Sequence, residues 1–184
     1  MSGAAAWRLC STVVAASLLA LSTAQAGGRE SNLADAVKAA YLDKLGDFVS
    51  WPTSAFSGPT DPLHLCVTGT DPFGPLLDQA VEGQKIAGRP IQVIRLDHMD
   101  RGAACQILFI SGSQRQGVAE ALDKVRGAPV LTVTDGASDG AARGMVNFVL
   151  RDNRVRFEID ETSASQSGLT ISSKLLSLAI PRDG

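Results

Sequence analysis

Four stretches carry side chains whose types and spacing could do chemistry. Gly69-Thr70-Asp71 and Gly74 follow an apolar run, LHLCVT, in the order of a strand, tight turn and helix start. Such turns hold phosphate through the free N–H groups of the helix. The match stops there: a phosphate loop continues Gly-Lys-Ser/Thr, whereas Gly74 is followed by Pro75 and Leu76, and a dinucleotide turn needs glycine where Asp71 stands. Asp71 at the helix start would also repel an anion, so an ordinary strand-to-helix turn is expected. Ser172-Ser173-Lys174 offers hydroxyls beside an amine, but the Ser-x-x-Lys spacing fails because Ile171 occupies the serine position. His64 and His98 are the only histidines, with Asp97 and Asp100 near the second. That falls short of the three or four ligands a zinc site uses. Asp135 ends an apolar run and has the placement of either a general base or a cap for the next turn. No triad or carboxylate pair assembles, so neither catalysis, a metal nor a cofactor is expected.

The elements that must position these residues alternate in period. Residues 31–50 repeat Leu33, Val37, Tyr41, Leu45 and Phe48 at helical spacing, with Ser31 or Asn32 as cap and Trp51-Pro52 as stop. Leu63–Gly69 reads as a strand and Asp71–Gln84 as a helix, with Asp71 capping and Pro72 in first place. Pro90–Leu96 alternates as a strand, and Cys105–Ser111 and Pro129–Thr134 are apolar enough to be covered on both faces. Ser113–Arg126 reads as a helix ended by Gly127. Met145–Leu150 and Arg154–Ile159 flank Arg151-Asp152-Asn153 as an antiparallel hairpin. The last element, from Ser163 to Ala179, is helical in its second half. This order predicts an α/β three-layer sandwich: a mainly parallel central sheet, an antiparallel hairpin at one edge, and helices on both faces. A ligand crevice then belongs beyond the carboxyl ends of the parallel strands, at Thr70, Asp71, Ser111, Ser113 and Asp135.

The beginning of the chain addresses the compartment. Arg8 is followed by the apolar run CSTVVAASLLAL and then Ala24-Gln25-Ala26, the small-residue pattern of a signal-peptidase site. The run is too short to span a bilayer. Residues 1–26 are therefore expected to be a cleaved signal peptide, and residues 27–184 a single exported domain. The whole chain carries 17 basic and 19 acidic groups, a net charge of −2, and losing Arg8 makes it more acidic. Without a basic cluster it lacks the footprint of a nucleic-acid or anionic-membrane binder. Cys10 leaves with the leader, so Cys66 and Cys105 remain. In an oxidising compartment such a pair tends to form a disulfide, the alternative being two buried thiols.

The segments VKAAYLDKLGDFVSWP, LCVTGTDPFG, CQILFIS, PVLTVTD, GMVNFVLRDNRVRFEID and GLTISSKLLSLA follow one another along the chain. In their order and spacing they resemble the YfiR family of periplasmic proteins. The resemblance implies a compact α/β repressor that holds an inner-membrane diguanylate cyclase inactive through its periplasmic sensor part. It thereby lowers cyclic di-GMP and biofilm formation. It also implies that Cys66 and Cys105 are the family's central cysteine pair. A second pair found in some members has no counterpart in residues 145–153.

For such a protein-binding regulator the candidate partner contacts are Tyr41, Trp51, Ser172, Ser173 and Lys174, since aromatics dominate interface hot spots. A homodimer is a further expectation. The alternative function is a periplasmic small-molecule binding protein feeding a sensor kinase or transport system through the crevice.

Overall fold

The computed structural model describes residues 24–136 and 141–182. The expected leader therefore lies outside the described residues except for its last three. Two compact units divide the chain, Met1–Leu33 and Ala34–Gly184, and the second contains the sheet.

The two most apolar runs lie side by side at the centre of that sheet. Strand β2 (Leu63–Thr68) pairs in parallel with β5 (Ile107–Ile110) on one side and with β4 (Arg89–Leu96) on the other. Beyond β5 come β6 (Leu131–Asp135) and β7 (Val146–Arg151), both parallel, and then β8 (Arg154–Ile159), antiparallel, at the edge. The opposite edge also carries an antiparallel strand, β3 (Lys85–Ile86), giving the order β3-β4-β2-β5-β6-β7-β8. The sheet is thus mainly parallel with a hairpin at one edge, as the sequence predicts, and a second small hairpin at the other. Both hairpins turn on residues with positive φ, Asp152-Asn153 and Ala87-Gly88, the geometry that suits tight connections between twisted strands.

Alternate side chains fill two cores. Leu63, Leu65, Val67, Ile107, Phe109, Val133 and Phe148 point to one face. There they meet α1 (Ala24–Leu45) through Ala39, Leu42 and Leu45, and α2 (Pro75–Val81) through Leu77 and Val81. Cys66, Leu108 and Ile110 point to the other face and are covered by α3 (Val118–Lys124) through Ala121. Helices on both faces complete the α/β sandwich.

The chain ends with α4 (Glu161–Gln166), β9 (Thr170–Ile171) and α5 (Ser173–Leu176). Strand β9 pairs antiparallel with β1 (Val49–Ser50), which follows α1 through the short helical turn Gly46–Phe48. This ribbon ties the exit of α1 to the C-terminal segment.

Several boundaries differ from the sequence expectation. Helix α1 is already under way at Ala24, so neither Ser31 nor Asn32 starts it, and it ends at Leu45. Helix α2 begins at Pro75 with Gly74 as its cap, not at Asp71–Pro72. Asp71 Oδ1 instead accepts the N–H groups of Phe73 and Gly74, closing a turn ahead of the helix. Helix α3 is shortened because Ser113 Oγ accepts the N–H groups of Arg115 and Gln116. The buried Gln116 amide is in turn fastened to both backbone groups of Met99. The final stretch is helical on both sides of β9, not only in its second half, because Asp160 caps α4 through the Ser163 N–H at 2.9 Å.

Candidate functional site

Parallel strands bring their carboxyl ends to one side of a sheet. Thr70 follows β2, Ser111 follows β5 and Asp135 closes β6, and these three line one cavity of ≈ 490 Å³. Its walls include Pro72, Val118 and Ala142. The cavity stands where the topology places a ligand crevice. Gly69 lets β2 leave the sheet there: its φ is +87°, and a Cβ would lie 1.6 Å from the Ser111 carbonyl oxygen. The glycine of the phosphate-like loop therefore serves a close crossing of two backbones.

The other two crevice residues lie away from the lining. Asp71 Oδ2 pairs with Arg95 Nε at 2.8 Å, and the same guanidinium grips Asp78 through two hydrogen bonds and the Gly74 carbonyl through a third. This fork raises the Arg95 pKa, chiefly through Asp78 and then Asp71, and the Arg95 hydrogen bond lowers that of Asp78. Ser113 is engaged in its own turn.

Asp135 is fixed from α1. Lys38 Nζ lies 2.6 Å from Asp135 Oδ2 and 3.5 Å from Asp35 on its own helix, with both members of the Lys38–Asp135 pair largely shielded. Sequence reading did not anticipate this pair, since nothing local links residues 97 positions apart.

A polar track runs beside the crevice on the α3 side of the sheet. Thr134 Oγ1 donates to Asn147 Oδ1 at 2.9 Å, and Asn147 Nδ2 donates to Glu158 Oε2 at 3.2 Å. Arg143 reaches the same carboxylate oxygen at 3.1 Å. Thr132 and Thr134 also accept the N–H groups of Met145 and Gly144, which pins the approach to β7. A second cavity of ≈ 520 Å³ opens between α3 and α4, lined by Leu122, Arg126, Thr132, Arg143, Met145 and Gln166 among others. Its lining comes from separate segments with no motif among them, so the sequence offered no signal for it.

The candidate partner contacts divide. Tyr41 packs on the core, with its ring 5.7 Å from Phe157 and 6.1 Å from Phe148. Trp51 and Ser172–Lys174 flank the β1–β9 ribbon at its two opposite ends, with Ser173 and Lys174 in α5. Trp51 is half-buried and donates its indole N–H to the Gln106 carbonyl at 3.2 Å. Ser172 donates its N–H to the Phe48 carbonyl and caps α5, while Ser173 and Lys174 are exposed. The Lys174 ammonium stands 5.7 Å from the Phe48 ring centre.

Cys66 and Cys105 form a disulfide with Cα atoms 5.8 Å apart. His64 reinforces the staple, its Nδ1 lying 2.7 Å from the Ala104 carbonyl oxygen. A hydrogen bond to a carbonyl requires the proton on Nδ1. His98 pairs with Asp100 at the surface. Among the described residues, no three His, Cys, Asp or Glu side chains converge as a metal site would need.

A sequence model of YfiR/HmsC-like proteins matches residues 35–180. The chain belongs to the YfiR/HmsC-like family. That range takes in all of the seven-stranded sheet, the disulfide and the β1–β9 ribbon. No curated protein matches the chain. The YfiR/HmsC-like family is one of periplasmic regulators of diguanylate cyclases. No helix among the described residues is long and apolar enough to cross a membrane.

Proposed function

We propose that this chain is a non-catalytic periplasmic regulator that binds the sensor part of an inner-membrane diguanylate cyclase and holds it inactive. The single observation that carries the reading is the family match over residues 35–180. A binding protein shifts a two-state receptor only by its difference in affinity for the two states. A stapled domain suits that task because it keeps its surface constant while the receptor changes. The exposed start of α5 at Ser173 and Lys174, with Trp51 across the β1–β9 ribbon, is the proposed contact. Tyr41 supports it indirectly by seating α1 on the sheet.

The test is genetic and biochemical. Deleting the gene in a strain that carries a diguanylate cyclase with a periplasmic sensor part raises cyclic di-GMP and biofilm, and the wild-type chain restores the low level. Lys174→Glu restores it poorly while leaving the melting temperature in place. An unchanged cyclic di-GMP level on deletion removes the reading.

A second reading is a periplasmic small-molecule binding protein that feeds a sensor kinase or transport system. One observation favours it, the cavity shared by Thr70, Ser111 and Asp135. A thermal-shift screen with small metabolites tests it.

A further inference from the structure

The crevice has a charge character that narrows what it can hold. Among the described residues that line it, Asp135 is the one charged side chain. Its Oδ2 takes Lys38, and no other hydrogen bond to this carboxylate is found among the described residues. Lys38 is shared with Asp35, so the cluster of two carboxylates and one ammonium keeps one negative charge in excess. The remaining walls are largely apolar and include Pro72, Val118, Ala119 and Ala142, with Thr70 also in the lining. Anions are disfavoured by the same charge. A cation meets a partly shielded carboxylate, where a charge-assisted hydrogen bond is stronger than between neutral groups.

We infer that the crevice binds a small organic cation with a compact apolar body, its ammonium group on the free oxygen of Asp135 and its body against Pro72, Val118 and Ala142. This rests on the reading of the cavity as a ligand site and is independent of the membrane partner. It also makes Lys38 a competitor. The bound ammonium and the Lys38 ammonium share one carboxylate, so filling the crevice weakens the hold of α1 on the end of β6, and removing Lys38 frees the carboxylate for the ligand.

That competition yields opposite effects for the two partners of one ion pair, which loss of structure cannot mimic. Three probes that share a phenyl ring and a two-carbon chain are titrated into the full domain by calorimetry or by NMR shifts: phenethylamine, neutral 2-phenylethanol and anionic 3-phenylpropionate. Phenethylamine is expected to bind most tightly. Asp135→Asn weakens it about tenfold or more, the range of a lost hydrogen bond to a charged group, and Lys38→Met tightens it. Ala119→Trp, which fills the crevice without touching a charge, abolishes binding.

Equal binding of the three probes, or Lys38→Met weakening the amine, overturns the assignment of ligand class while leaving the cavity reading standing. No binding of any probe at millimolar concentration overturns both. Should Asp135→Asn fail to fold, Lys38→Met and Ala119→Trp decide the matter.

Discussion

Gly69 and Ser111 cross so closely that a methyl group on Gly69 would sit 1.6 Å from the Ser111 carbonyl oxygen. The crossing is held by the Ser111 N–H, which donates to the Thr68 carbonyl at 3.0 Å. Gly69→Ala therefore meets two penalties, a backbone φ of +87° and a clash with main chain that has nowhere to move. It is expected to destabilise the fold by about 3 kcal/mol or more. Urea denaturation reads this as a lower midpoint at unchanged slope. A wild-type midpoint would show that the two backbones can separate at no cost.

The disulfide closes a loop between positions 39 apart, with Cys66 wholly buried and Cys105 nearly so. Constraining a loop of that length in the unfolded chain stabilises the native state by about 4 kcal/mol in the chain-entropy description. The Cys66→Ala, Cys105→Ala double variant should lose stability of that order. In the native wild type neither cysteine should take up an alkylating reagent until reductant and denaturant are both present. Labelling of the unreduced denatured protein would refute the bridge.

Arg143 and Glu158 form a pair with side chains only 12% and 3% exposed. Removing Arg143 leaves the buried Glu158 carboxylate with the Asn147 amide but without the opposite charge, which costs more than replacing both members with apolar groups. Arg143→Met is expected to cost about 3 kcal/mol, and adding Glu158→Leu to recover part of it. A double-mutant cycle by urea denaturation checks the sign. Additive losses would mean the two charges do not depend on each other.

Asp160 gives the acid limb of stability a named contributor. Burial alone would raise its pKa, but the Ser163 N–H and hydroxyl and the Arg182 guanidinium more than offset that and hold it below the ordinary range. The folded chain then binds this proton less readily than the unfolded chain. Its contribution is complete above the unfolded value of about 4 and is lost as pH falls through the lower folded value. Asp160→Asn keeps an oxygen for the Ser163 N–H but no longer titrates. It should be less stable than wild type at neutral pH, with the gap narrowing as pH drops below about 4. A gap constant with pH would remove Asp160 from the acid limb.

What the sequence made legible follows from range. Runs such as LHLCVT and CQILFIS are long and apolar enough to identify buried strands, and Cys66 and Cys105, the pair that remains once the expected leader is set aside, point to each other. Strands β1, β3 and β9 have two residues each and carry no period to read. The local pattern overstates the helices over 71–84 and 113–126 because Asp71 and Ser113 look like helix caps. Their side chains instead close turns, one aided by Arg95 on a neighbouring strand and the other by Gln116 bound to Met99. Of the crevice, Thr70, Ser111 and Asp135 were legible from strand ends alone. Lys38 was not, because its partner is chosen by how α1 lies on the sheet.

The β1–β9 ribbon sets an order of events for a chain made from its N-terminus. Val49 and Ser50 find their partners only in Ile171 and Thr170, and the Phe48 carbonyl waits for the Ser172 N–H. Until that last stretch emerges, the exit of α1 has no strand to close against. A growing or translocating chain can form β2, β4 and β5 early, yet it stays unlatched at its beginning until nearly its end.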